Sequence, residues 1–133
     1  HMASNPNSIA QEATLAALEG PQDCVAEMCK EFKKRRDYIY EREEAIPMIS
    51  ALKPEGAFYL FPKCSSYFGK KDGERVINNS TDFAMYLLEV GHVATVGGDA
   101  FGSPECFRMS YATSDENIVE AMKRIKETLA RLR

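Results

Sequence analysis

An arginine lies inside the segment CFRMSYA, Cys106 to Ala112, whose other residues are typical of a β-strand. Because strand side chains alternate between two faces, the large apolar residues share one face and Arg108 lies on the other among small residues. A guanidinium stays charged in proteins, and its planar fork binds a carboxylate through two parallel hydrogen bonds. The pattern therefore indicates either an anion-binding arginine or an internal salt bridge, for example with Glu55 or Asp99.

Two glycine-bearing segments are the other candidates for a site. The segment GGDAFG, Gly97 to Gly102, has three glycines in six residues, which allow tight turns and close approach of the backbone to another group. It is not a phosphate-binding loop, because no Lys-Ser/Thr pair follows it; a plain connection between strands, with Asp99 as a turn residue, is the alternative. In PEGAFYLF, Pro54 to Phe61, both faces of the predicted strand are apolar. Phe58 or Tyr59 therefore either lines a pocket or packs in the core.

The other reactive side chains indicate neither a nucleophile–base pair nor a metal site. His92 is the only histidine away from the N-terminus, so Ser-His-Asp and Cys-His arrangements have almost no base to use, and we expect His92 at the surface. Lys63 opens a polar loop without a flanking motif, which disfavours a Schiff-base role. The cysteines contain no C-x-x-C pair, which argues against zinc and favours free thiols in the cytoplasm. They are Cys24, Cys29, Cys64 and Cys106.

The bulk composition is that of an ordinary globular domain. The chain has 133 residues, 44% hydrophobic and 28% charged, with a net charge of −3, which favours one domain and excludes the basic excess of a nucleic-acid-binding protein. The basic run KKRR, 33–36, lies in a helical pattern and indicates a solvated helix face. Its acidic neighbours are Glu31, Asp37, Glu41 and Glu43. No apolar run approaches the roughly 18 residues that span a bilayer, and no signal peptide is expected. Residues 1–3 resemble a cloning remnant, so we expect the natural chain to begin near Ser4 or to lie inside a longer protein.

Two helices are predicted in the first third of the chain. The first runs from Ile9 to Leu18 and ends at Gly20-Pro21, and the second runs from Pro21 to about Ala45. The first helix is short and almost wholly apolar, so it needs another surface to cover it, and self-association through it is an alternative role. The second helix has an apolar stripe at helical spacing. This stripe consists of Val25, Met28, Cys29, Phe32, Ile39 and Ile46.

The remaining sequence predicts a sheet and two further helices. Strands are expected over 49–53, 57–62, 92–96 and 106–112, the first two as a hairpin, with a loop over 63–80 that has room for one helical turn. Helices are expected from Ser80 or Thr81 to Gly91, and after the capping segment Thr113–Glu116 with an apolar stripe from Ile118 to Leu129. The fold class is α/β of the two-layer α+β type. It has a mostly antiparallel four-stranded sheet with helices packed on one face, preceded by the long helix.

Four segments occur in the order seen in one enzyme family: SNPNSIAQEATLAALEGP (4–21), PEGAFYLFP (54–62), GGDAFG (97–102) and FRMSYATSDENIVEAMKRI (107–125). From Ser4 to about Leu132 the chain resembles the C-terminal part of aspartate-type aminotransferases. These are pyridoxal-phosphate-dependent enzymes of the class I and II group. The resemblance implies that residues 4–20 lead from a cofactor domain and that residues 21–133 form the small C-terminal domain.

The resemblance also implies roles for individual residues. Arg108 matches the arginine of the family's R-x-S-[YF]-A strand, which binds the α-carboxylate of the amino acid or 2-oxo acid substrate. Gly56 and Phe58 match positions of P-x-G-A-F-Y near the substrate. In the P-G-x-x-F-G loop, which shapes the approach to the arginine strand, the matched residues are Gly98, Phe101 and Gly102. Ser4 and Asn5 match residues that lie near the cofactor and the subunit interface in the family.

Two departures from the family pattern lie outside these matches. Gly97 stands where the loop usually has proline, which predicts a less rigid loop. The segment REEAIPM, 42–48, replaces the commoner RLNAIPG at the end of the long helix, away from the site.

The family's cofactor-binding residues are not matched in this chain. The Schiff-base lysine, the aspartate at the pyridinium nitrogen, and the tyrosine and arginine that hold the cofactor belong to the upstream domain of the family. The resemblance therefore implies an aminotransferase fragment that is inactive alone and binds no pyridoxal phosphate. The full-length enzyme would bind pyridoxal phosphate, an amino acid and a 2-oxo acid, and would form a homodimer. A non-catalytic module that binds small carboxylates or a partner protein is the alternative.

Overall fold

The computed structural model describes residues 4–133, so the expected cloning remnant at residues 1–3 lies outside the described residues. By its internal contacts the chain divides into two compact units, one ending at Glu31 and the other running from Phe32 to Arg133. The candidate site lies entirely in the second unit.

Helix α1 (Ser8–Glu19) belongs to the first unit and begins one residue earlier than predicted. Its start is set by Asn7, whose side-chain oxygen accepts a 2.8 Å hydrogen bond from the backbone N–H of Ala10. No residue of this helix is buried, and Ile9 and Leu18 are 82% and 76% exposed. The cover that its apolar composition predicts is therefore not supplied by residues 4–31.

Helix α2 (Asp23–Glu44) begins in the first unit and ends in the second. Its predicted stripe is buried only toward the C-terminal end: Ile39 is buried, whereas Val25 and Met28 are exposed. Lys33 and Lys34 of the basic run are exposed, whereas its acidic neighbour Glu43 is only 1% exposed. Residues four apart share one side of a helix, which places Glu43 beside Ile39 on the buried side.

Helices α3 (Ser80–Glu89) and α4 (Asp115–Leu129) follow the predicted bounds closely. Asn79 and Ser114 cap them, since each side-chain oxygen accepts a hydrogen bond from the backbone N–H three residues later, at 2.8 and 3.3 Å. No helix of residues 4–133 is long and apolar enough to cross a membrane. The predicted stripe of α4 is confirmed by the burial of Ile118, Met122, Ile125 and Leu129.

A three-stranded antiparallel sheet carries the arginine. Its central strand is β5 (Phe107–Ser110), with β1 (Tyr59–Leu60) on one side and β4 (Val96–Gly97) on the other. Val96 pairs directly with Arg108 across β4 and β5. The predicted alternation along the arginine strand is confirmed, because the residues of the opposite face are buried: Phe107, Met109 and Tyr111.

The mixed α/β fold class with a mostly antiparallel sheet is confirmed, but within residues 4–133 the sheet has three strands and not four. Segment 49–53, predicted as the first strand of a hairpin, makes a single bridge from Ser50 to Lys63. The predicted hairpin is therefore wrong: the chain bends over 55–58, with a positive φ of 59° at Ala57, and the Pro54 carbonyl accepts a 3.2 Å hydrogen bond from Arg36 on α2.

The strand predicted over 92–96 is reduced to the two residues of β4. His92 has a positive φ of 54°, which turns the chain out of an extended conformation at the predicted start. The predicted surface position of His92 is confirmed by its exposure. A cleft of about 430 Å³ lies beside this segment, lined by Thr95, Ser110 and Asn117 among other residues.

The predicted loop over 63–80 contains two short elements. The expected helical turn is a 3₁₀ turn at Ser65–Tyr67. A hairpin of β2 (Lys71–Asp72) and β3 (Arg75–Val76) was not predicted. Gly73 and Glu74 form the two-residue loop between these strands, and Gly73 has a positive φ of 62°, so a glycine at the first loop position was the signal for this turn.

Candidate functional site

The guanidinium of Arg108 lies against two aromatic rings. Its central carbon is 4.3 Å from the ring centroid of Tyr59 and 4.4 Å from that of Phe101. Each distance is within the range of a favourable cation–π contact, worth about 0.5–2 kcal/mol. The two rings hold the charged group in place without using its N–H donors.

No acidic side chain in the described part of the chain neutralises the charge of Arg108. Within residues 4–133 the Arg108 guanidinium makes neither a hydrogen bond nor an ion pair. The alternative of an internal salt bridge with Glu55 or Asp99 is therefore wrong: Glu55 is exposed, and the Asp99 carboxylate accepts hydrogen bonds from hydroxyl groups of α3. Arg108 is half-buried, and its side-chain nitrogens are not among the buried polar atoms without a hydrogen-bond partner, so its N–H donors stay open to an incoming anion.

The first ring belongs to Tyr59 on β1, one of the two aromatic candidates, and not to Phe58, which the resemblance matched to a position near the substrate. Tyr59 pairs with Ser110, two residues beyond Arg108, so the two side chains are diagonal neighbours on one face of the sheet. The ring of Phe58 lies 4.5 Å from that of Tyr59 and 6.0 Å from that of Phe32 on α2. Phe58 therefore supports Tyr59, and its role beside a substrate stays a prediction.

In the turn before β1, the residue with an unusual backbone conformation is Ala57 and not Gly56. Gly56 has an ordinary backbone conformation with open space around it, whereas Ala57 has a positive φ of 59°. The Ala57 carbonyl accepts a 3.1 Å hydrogen bond from the hydroxyl of Tyr111, whose ring is buried beneath the sheet. That bond helps to hold the unusual conformation and fixes the approach of the chain to Tyr59.

The second ring is supplied by the glycine-rich loop. A 3₁₀ turn over Gly98–Phe101 ends at Gly102, whose φ of 73° lies in the left-handed region that favours glycine. A side chain at Gly98 would collide with the carbonyl oxygens of two nearby residues, so glycine is required there for close packing. Gly97 has φ −60°, the value that proline would impose, so the loop keeps that conformation without the ring.

Ser4 and Asn5 are exposed and lie in the first unit, before α1. Their suggested position near a cofactor and a subunit interface stays a prediction.

The thiols and the candidate lysine do not form a second site. Cys64 is fully buried, and burial raises the pKa of its thiol to about 12, which keeps it protonated and unreactive at neutral pH. Lys63 is exposed, and its backbone bridges Ser50 and Cys106. In the described part of the chain, no three His, Cys, Asp or Glu side chains are grouped as metal ligands.

Sequence reasoning missed the roles of Tyr59 and Asp99. Tyr59 was one of two aromatic candidates for a pocket, and its position on the arginine face follows from strand alternation once the pairing is known. Asp99 was interpreted as a turn residue. Its partners on α3 are 18 and 19 residues away in the chain, and no local pattern indicates them.

Comparison with known proteins gives consistent matches over nearly the whole chain. A family model described as aminotransferase class I and II matches residues 1–125. The chain is 47% identical over 131 residues to the aspartate aminotransferase of Rhizobium meliloti (strain 1021), covering 97% of this chain and 32% of that protein. It is 48% identical over 124 residues to a probable aspartate/prephenate aminotransferase of Rickettsia felis, covering 92% of this chain and 30% of that protein.

A solved structure agrees with these matches. The crystal structure of the aspartate aminotransferase from Rhizobium meliloti superposes with a TM-score of 0.93 at 44% identity, covering 98% of this chain and 33% of that one. The chain therefore spans about a third of the length of the relatives that it matches.

Proposed function

This chain belongs to the class I and II aminotransferase family, and we propose that it is the part of an aspartate-type aminotransferase that binds the substrate α-carboxylate through Arg108. The observation that carries the proposal is a half-buried guanidinium that two rings hold and that pairs with no anion among residues 4–133. Residues 4–20 lead from the cofactor domain in this proposal, and residues 21–133 form the C-terminal domain.

Arg108 binds the substrate by matching its fork to the two carboxylate oxygens. Two parallel, charge-assisted N–H···O bonds fix the direction of the carboxylate as well as its position. Tyr59 and Phe101 limit the rotation of the guanidinium before the substrate arrives, so less conformational entropy is lost on binding. A substrate held in this way presents its α-carbon in one orientation to the catalytic groups.

The catalytic groups come from outside this chain. Pyridoxal phosphate, when bound, supplies the electron sink for amino-group transfer, and it needs a lysine amine and a partner for its ring nitrogen. A guanidinium between two rings offers neither group, so the described site does not fit the cofactor by itself. We therefore propose that the remaining two thirds of the enzyme hold pyridoxal phosphate and that the isolated chain is inactive.

The substrates are an amino acid and a 2-oxo acid of the aspartate type. The relatives named above are called aspartate and aspartate/prephenate aminotransferases, which supports an acidic substrate side chain for this protein as well. The Arg108 site binds only the α-carboxylate, which all amino acids share. The choice of side chain therefore belongs to residues outside this site.

The full-length enzyme is proposed to be a cytoplasmic homodimer. The cytoplasmic part is supported by four unpaired thiols, two of which are exposed on α2. Exposed thiols of this kind persist in a reducing compartment. The dimer rests on the family resemblance of the segments quoted above.

The test is steady-state kinetics of the full-length enzyme with substitutions at Arg108. Replacing Arg108 by alanine removes a bidentate charged contact worth about 2–4 kcal/mol, so kcat/KM for the amino acid should fall about 30- to 900-fold. Arg108→Lys keeps the charge but not the fork, and its kcat/KM should lie between the two.

A matched control is Arg124→Ala. Arg124 is a half-exposed arginine on α4 that pairs with Glu120 at 2.7 Å, outside the Arg108 site. Its loss should leave kcat/KM within about twofold of the parent, since exposed ion pairs contribute little. Equal kcat/KM values for Arg108→Ala and the parent enzyme would refute the proposed role.

A further inference from the structure

The Asp99 carboxylate joins the glycine-rich loop to the start of α3. One of its oxygens accepts a 2.9 Å hydrogen bond from the hydroxyl of Ser80 and a 3.2 Å hydrogen bond from that of Thr81. Ser80 is 0% exposed, so its hydroxyl has no access to water and depends on this partner. The contact is thus a fixed part of the fold around the loop.

Helix α3 does not need Asp99 as its cap. The N-terminus of α3 is already capped by Asn79, which accepts a hydrogen bond from the backbone N–H of Asp82. The Asp82 carboxylate in turn accepts a 3.0 Å hydrogen bond from the backbone N–H of Asn78. Because these bonds already cap α3, we expect the Asp99 contact to matter chiefly for the position of the loop.

The glycine-rich loop connects Asp99 to Phe101, whose ring contacts Arg108. Phe101 follows Asp99 by two residues in the same 3₁₀ turn, and the backbone N–H of Gly102 donates a 3.2 Å hydrogen bond to the Asp99 carbonyl. The Phe101 ring is 45% exposed, and its ring contacts are an edge-on approach to Phe61 at 6.0 Å and the Arg108 guanidinium. A ring this exposed keeps its place only if its backbone is fixed.

We propose that Asp99 is a positioning residue that holds the Phe101 ring against the Arg108 guanidinium by tethering the loop to α3. Its effect on geometry stands independently of the proposed function, whereas its effect on catalysis rests on it. Loss of the tether leaves Arg108 charged and in place on β5 but free to rotate away from the carboxylate.

The geometric test is nuclear magnetic resonance of the 133-residue chain. The protons of the Arg108 side chain lie close to the Phe101 ring, so the ring current shifts their resonances, and Phe101→Leu gives the value without that ring. Asp99→Ala should lose most of the shift and approach the Phe101→Leu value. Asp99→Asn keeps an oxygen acceptor for both hydroxyl groups and should keep the shift.

Two further variants test whether a lost shift reflects the Asp99 tether or a general disturbance of the fold. The double variant Ser80→Ala/Thr81→Val removes both donors while leaving Asp99, and it should lose the shift as Asp99→Ala does, even if Asp99→Ala itself fails to fold. Glu105→Ala removes an exposed carboxylate near the start of β5 and should leave the shift unchanged. A parental shift in the folded Asp99→Ala or double variant would overturn the proposal.

The kinetic readout uses the full-length enzyme. Asp99→Ala should raise KM for the amino acid by about tenfold with a smaller change in kcat, because misplacement of a binding group by about 1 Å is costly. Asp99→Asn should restore the parent KM. If Arg108→Ala changes KM and Asp99→Ala does not, the positioning role is wrong and the function stands; if neither changes KM, the proposed function itself fails.

Discussion

Glu43 on α2 should make the stability of the chain fall as the pH rises from about 4.5 to about 7. The residue is 1% exposed, and neither of its carboxyl oxygens has a hydrogen-bond partner among residues 4–133. Burial, with a smaller contribution from the charge of Glu44, raises the pKa of Glu43 from 4.5 to about 7. The commoner family segment has leucine here, so a charge occupies a position suited to an apolar side chain.

The sign follows from proton binding. Between pH 4.5 and 7 the folded chain keeps the Glu43 proton that the unfolded chain has lost, so the free energy of unfolding decreases as the pH rises and levels off above 7. A shift from 4.5 to about 7 corresponds to about 3 kcal/mol over this interval. A loss of about 3 kcal/mol is a large share of the stability of a domain this size.

The assay is urea unfolding of the 133-residue chain at several pH values between 4.5 and 8. Glu43→Gln should flatten the pH dependence, since the amide does not titrate, and Glu43→Leu should flatten it and also raise stability at pH 8 by about 3 kcal/mol or more. Glu41→Gln is the matched control, because Glu41 is an exposed glutamate on the same helix and should leave the pH profile unchanged. A Glu43→Leu variant with the parent pH profile would refute the reasoning.

Three further substitutions test the backbone around the site by urea unfolding of the same chain. Met48 has a positive φ of 65° where the commoner segment has glycine, so Met48→Gly should stabilise the chain by about 1 kcal/mol; a loss of stability would contradict the assigned conformation. Gly98→Ala forces a side chain into two carbonyl oxygens and should cost about 2 kcal/mol or more; a neutral effect would show that the loop is not closely packed. Tyr111→Phe removes the hydroxyl that donates to the Ala57 carbonyl and should cost about 1 kcal/mol, and an unchanged urea midpoint would argue against that hydrogen bond.

The alternation of side chains around Arg108 was predictable because it depends only on the two-residue period of a strand. The burial of Met109 and Tyr111 on the opposite face confirmed it. The rings on Arg108 were not predictable to the same degree, since one comes from the neighbouring strand and the other from a loop. Their positions depend on pairing register and on the Asp99 contact with α3, which are properties of the folded chain.

The wrong predictions concern positions where contacts between distant parts of the chain outweigh the local pattern. The first strand of the expected hairpin is reduced to one bridge, from Ser50 to Lys63, although its apolar pattern is that of a strand. Glu43 is buried because it lies one turn after Ile39 on the buried side of α2, whereas charged residues are usually exposed. Only Gly73, the first of the two residues between β2 and β3, carried a local signal that sequence reasoning left unused.

The most direct test of the Arg108 assignment compares two inhibitors of the full-length enzyme, a monocarboxylic acid and its primary amide of the same shape. The acid offers a charged carboxylate to the guanidinium, and the amide offers a neutral group. Arg108→Ala should weaken inhibition by the acid about 30-fold or more while leaving that by the amide nearly unchanged, because only the acid loses a charge-assisted bidentate contact. Equal weakening of both inhibitors, or of neither, would contradict the assignment of Arg108 as the carboxylate-binding residue.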